Sequence, residues 1–87
     1  MGRQPRVNEP VFNRIAEVRE AAGISRKDLA TAVGVHYQTI GYLERGEYAP
    51  SLYLALRLAD LFERRVEDLF ALEEMAPEVA STSPSSD

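Results

Sequence analysis

Apolar residues recur at helical spacing along most of the chain, and capping residues punctuate the runs. Between residues 10 and 22, Phe12, Ile15, Ala16 and Val18 share one helical face, and Gly23 stops the run. Pro10 suits the first turn, where its missing N–H costs nothing. Ser25 is a candidate N-cap for a second helix, with Asp28 three positions on as the acidic member of a capping box. Leu29, Ala30 and Val33 form the apolar face of that helix, and Gly34 supplies the left-handed residue that ends it. Val35, Ile40 and Leu43 mark the apolar side of a third helix, ended by Gly46. Tyr37, Gln38, Gly41 and Tyr42 are left pointing away from the core. Ser51 caps a fourth helix over residues 52–62, and a fifth covers residues 66–72. The expected fold is all-α, with five short helices.

A short helix, a glycine turn and a second helix with an exposed polar and aromatic face make the helix-turn-helix pattern. It predicts a recognition helix around residues 37–45 that can lie in the major groove of DNA.

Two places break the pattern. Glu63 stands where a C-terminal glycine is expected and Arg65 where an N-cap Ser or Thr is expected, so the last two helices either join less sharply or run on as one kinked helix. The fourth helix is apolar on nearly every side, interrupted only by Arg57 and Asp60. Such a helix is buried on most of its faces. Either a partner subunit covers it, with Leu54, Leu61, Phe70 and Leu72 as interface candidates, or the fifth helix and the start of the tail fold back over it.

Composition narrows the function. A chain of 87 residues, 45% of them hydrophobic, holds one domain and one modest core. It has no cysteine and a single histidine, His36, so disulfides, thiolate catalysis and a cysteine-ligated metal are excluded, and no carboxylates are grouped for a metal. No Ser, His and carboxylate spacing suggests an enzyme, no phosphate-cradling glycine loop is present, and the core is too small for a ligand pocket of about 300 Å³. No cofactor, small-molecule ligand or membrane association is expected. With no long apolar run and no apolar signal core near residue 1, the expected location is the cytoplasm. The net charge of −4 argues at first against nucleic acid. Its distribution corrects that: up to Arg57 there are 8 basic and 6 acidic residues, and beyond it 2 and 8. Residues 1–9 read as a flexible arm carrying Arg3 and Arg6, residues 10–73 as the folded domain, and residues 76–87 as a disordered Ser/Pro-rich tail.

The chain resembles the Cro/cI-type, or XRE-like, helix-turn-helix regulators, particularly their short stand-alone bacterial members. The matching residues are Arg14, Ile15, Val18, Arg19 and Glu20; Gly23, Ile24, Ser25, Asp28, Leu29 and Ala30; Val33, Gly34, Val35, Gln38, Thr39, Ile40, Leu43, Glu44, Arg45 and Gly46; Pro50, Ser51, Leu52, Ala55, Leu56, Leu58 and Ala59; and Glu67, Asp68, Leu69 and Phe70. The spacing of Gly34, Gln38, Thr39, Ile40, Glu44 and Gly46 is a specific signal.

The resemblance implies a compact five-helix domain that binds operator DNA, usually as a symmetric dimer on a palindrome. It implies that Gln38 reads bases, with Tyr37, Tyr42 and Gly41 at neighbouring groove-facing positions, and that Arg26 and Thr39 touch phosphate while Arg45 begins a loop along the backbone. Lys27 and His36 are further phosphate candidates; His36 replaces the usual Ser or Thr cap. Arg19 and Glu44 match a buried ion pair tying the first helix to the third. The alternative function is a protein-interaction module, such as a helix-turn-helix antitoxin or adaptor, that uses the exposed aromatics and the acidic C-terminal region.

Overall fold

The computed structural model describes residues 11–77. The arm at residues 1–9, Pro10 and all of the tail beyond Pro77 lie outside the described residues. Five helices carry the fold: α1 (Ile15–Ala21), α2 (Arg26–Val33), α3 (Tyr37–Glu44), α4 (Leu52–Phe62) and α5 (Val66–Leu69). Two short strands, β1 (Phe12–Asn13) and β2 (Phe70–Ala71), pair antiparallel with Phe12 opposite Ala71 and Asn13 opposite Phe70. The molecule is therefore mostly helical, with a small sheet that periodicity did not suggest.

That sheet corrects both ends of the expected helical core. α1 starts at Ile15 rather than near residue 10, and α5 stops at Leu69 rather than Leu72. Asn13 makes the first change. Its Oδ1 accepts from the Ile15 N–H at 2.9 Å, serving as the cap oxygen, while its Nδ2 donates to the Leu43 carbonyl at 2.8 Å. The Arg14 N–H donates to the Leu69 carbonyl at 3.0 Å and extends the closure. The two edges of the domain are thus tied through the backbone and to the end of α3.

The other helix ends follow local chemistry. Ser25 Oγ accepts from the Asp28 N–H at 3.0 Å, and Ser51 Oγ from the Leu54 N–H at 3.1 Å. Gly34 ends α2 at φ 80°. Glu63 ends α4 in the left-handed region at φ 57°, a conformation that L residues other than glycine enter at a cost. Helices α4 and α5 are therefore separate, joined by a sharp turn. α5 starts without a hydroxyl cap, and carboxylates take over: Asp68 Oδ2 accepts from the Arg65 N–H at 3.4 Å. A hydrogen bond to backbone at Glu67, together with Arg65, holds the Glu67 carboxyl below its usual range.

Ile15, Leu29, Ile40, Leu43, Leu58 and Leu69 are fully buried, one or two from each helix. Each such side chain contributes roughly 1.5–3 kcal/mol when removed from water. Leu54 joins this core and is only 4% exposed, so it is not available as the interface residue expected of it. Phe70 is half-buried in β2 and packs against the same cluster. Leu61 and Leu72 are exposed. The outer face of α4 remains uncovered among the described residues: Leu52, Tyr53 and Leu56 are 72, 66 and 51% exposed. The fold-back of α5 therefore leaves this side of α4 open.

Candidate nucleic-acid interface

The turn between α2 and α3 is three residues long, Gly34, Val35 and His36. Gly34 reverses the chain, and Val35 packs partly against the core. His36 then starts α3: its Nδ1 accepts from the Gln38 N–H at 3.1 Å. Accepting at Nδ1 places the proton of the neutral ring on Nε2, which leaves an outward donor. The imidazole stacks on the Tyr37 ring at 4.8 Å. One exposed residue thus takes the place of a hydroxyl cap.

The inner side of α3 is fixed by Ile40, Leu43 and Glu44. Glu44 Oε2 accepts from Arg19 Nε at 2.6 Å, and Glu44 Oε1 from Arg26 Nε at 2.9 Å, with the Glu44 side chain 3% exposed. Arg19 also donates through Nη1 to the Ile24 carbonyl at 2.9 Å. This carboxylate, at the end of α3, therefore holds α1 and the start of α2 together. Arg26 had been expected on phosphate; its Nε is used by Glu44, and its guanidinium remains half-exposed beside α3. No sequence signal marked this second arginine, because the bond joins residues 18 positions apart.

The outer side of α3 gathers the other candidates. Arg26, Tyr37, Gln38, Gly41, Tyr42 and Arg45 line one shallow open recess of about 220 Å³. That is below the roughly 300–1,000 Å³ of small-molecule sites. Tyr37 and Tyr42 are nearly half exposed, and Gln38 is exposed. Gly41 differs from expectation. It lies on this face but is buried, because Arg45 folds back over it. The Arg45 guanidinium also sits over the Tyr42 ring, 5.3 Å from its centroid, and pairs through Nε with Glu47 at 3.2 Å. Lys27 is exposed in the first turn of α2, and Thr39 is half-buried in the first turn of α3. Arg3 and Arg6 lie outside the described residues. Among the described residues no cluster of His, Cys, Asp or Glu is placed to hold a metal, and no helix is long and apolar enough to cross a membrane.

This architecture has relatives. The model of the helix-turn-helix family matches residues 15–69. An uncharacterized HTH-type transcriptional regulator of Archaeoglobus fulgidus is 46% identical over 61 residues, which is 70% of this chain and 87% of that protein. The uncharacterized HTH-type transcriptional regulator YgzD of Bacillus subtilis is 44% identical over 62 residues, covering 71% of this chain and 94% of that one. Among solved structures, the restriction-modification controller protein C.AhdI from Aeromonas hydrophila is similar, with a TM-score of 0.59 at 33% identity over 63% of this chain and 83% of that chain. Both of these sequence relatives are named as HTH-type transcriptional regulators. With its two short helices about Gly34, its anchored α3 and a family match spanning most of its length, the chain belongs to the helix-turn-helix family of DNA-binding transcription regulators.

Proposed function

We propose that this protein binds a palindromic operator in double-stranded DNA as a symmetric homodimer, with α3 in the major groove. The observation that carries the reading is the two-sidedness of α3. Its inner side is locked by Ile40, Leu43 and the Glu44 ion pairs, and its outer side presents Tyr37, Gln38 and Tyr42. The amide of Gln38 donates and accepts together, which suits adenine N6 and N7. Tyr37 and Tyr42 contact neighbouring bases, and Gly41 lies on the same face beneath Arg45. Arg26, Lys27, Thr39 and the Nε2 of His36 take phosphate and set the register. Residues 10–73 act as the DNA-binding domain, and the arm at residues 1–9 adds Arg3 and Arg6.

The second copy docks on the apolar surface that α4 leaves open. Leu61 and Leu72 belong to it, and the exposure of Leu52 and Leu56 adds them to it. A twofold axis there sets two copies of α3 about 34 Å apart, one helical turn of DNA. The protein works in the cytoplasm without catalysis, cofactor or small-molecule ligand.

Selection of bound sequences from random DNA tests this, with salt dependence measured on the winner. A palindrome bound with a steep salt slope is expected. Enrichment of no motif would contradict the reading and favour a protein-interaction module such as an antitoxin or adaptor.

A further inference from the structure

We infer that Arg45 reads a guanine in each half-site and that Gly41 is the positioning residue that lets it do so. The inference deepens the proposed function and rests on α3 being the major-groove helix. Gly41 sits in the interior of α3 with ordinary helical backbone, so nothing in its conformation requires glycine. A glycine there weakens a helix relative to alanine. What glycine supplies is room: a Cβ at this position would stand 3.3 Å from Arg45 Nη1, tighter than ordinary contact. Positions 38, 41, 42 and 45 share one helical face. Arg45 follows the last residue of α3, yet it folds back along that face, over Gly41 and onto the Tyr42 ring at 5.3 Å. Glu47 pairs with Nε at 3.2 Å, which leaves the Nη groups for another partner, and Arg45 lines the same recess as Gln38. A pair of guanidinium donors presented to the major groove matches O6 and N7 of guanine. An arginine serving only a phosphate needs none of this placement.

The test uses the full chain as wild type, Arg45→Ala and Gly41→Ala. Each is put through selection from random DNA, then titrated against the winning site with every base at each half-site position and at several salt concentrations. For wild type, one guanine per half-site is expected to be preferred by about 5- to 150-fold. Arg45→Ala should lose that preference and keep the others. Gly41→Ala, which makes the guanidinium give by a few tenths of an ångström, should weaken the same preference while its Tm stays level or rises. If Arg45→Ala keeps every base preference, weakens all sites alike and lowers the salt slope by about one, Arg45 is a phosphate contact and the inference fails. Retention of the guanine preference by Gly41→Ala removes its positioning role. A wild type that enriches a motif lacking such a guanine overturns this inference alone; one that enriches no motif overturns the DNA reading beneath it.

Discussion

Arg19 Nε lies 2.6 Å from Glu44 Oε2, and the two side chains are 9 and 3% exposed. The pair joins α1 to the C-terminal end of α3, and Arg26 closes on the other oxygen of the same carboxylate. Removing Glu44 takes away the buried counter-charge of Arg19 and leaves only the exposed Glu20 carboxylate, 3.5 Å from Nη2. Glu44→Ala should therefore lower stability by about 3–5 kcal/mol in urea unfolding. A loss below about 1 kcal/mol would show that the pair does not hold α3.

His36 combines two jobs that substitution separates. His36→Ala removes the Nδ1 acceptor facing the Gln38 N–H and should cost about 0.5–1 kcal/mol. His36→Ser restores a cap and should recover that stability, while still losing the outward Nε2 donor. Thermal unfolding and DNA affinity measured on both variants check this. Equal stability of the Ala and Ser variants would contradict the capping role.

How far the sequence reaches depends on how local the interaction is. Ser25, Gly34 and Ser51 signal helix ends through bonds spanning a few residues, and each acts where the pattern placed it. The alternation of Ile40 and Leu43 with Tyr37, Gln38 and Tyr42 gave both sides of α3. The β1–β2 pairing was invisible because two-residue strands have no period to read, and their partners come from opposite ends of the domain. Asn13 looked like part of a helix for the same reason. Gly41 was placed on the right face, but its burial depends on the path of Arg45, a long side chain whose direction spacing does not fix. Leu54 was misassigned because a helix apolar all round does not reveal which of its faces the rest of the fold covers.

Glu63 occupies a left-handed backbone at φ 57° where glycine carries no Cβ penalty. Glu63→Gly should raise stability by about 1 kcal/mol, read as a higher Tm, and leave DNA affinity unchanged. A lower Tm would mean that the carboxylate makes a contribution larger than the backbone cost.

Leu56 is half exposed on the open side of α4 and makes no part of the core cluster. Leu56→Glu should leave the monomer folded, by circular dichroism, and shift sedimentation from dimer to monomer. Operator affinity should fall at least tenfold with the loss of the second half-site. An unchanged dimer would place the interface elsewhere.

Base reading by the outer side of α3 turns on Gln38. Affinity of wild type and Gln38→Ala should be measured, at one salt concentration, on the selected operator and on random DNA of the same length. Loss of a bidentate base contact should cost about 1–3 kcal/mol on the operator, with binding to random DNA nearly unchanged. An equal loss on both DNAs would contradict base reading by α3.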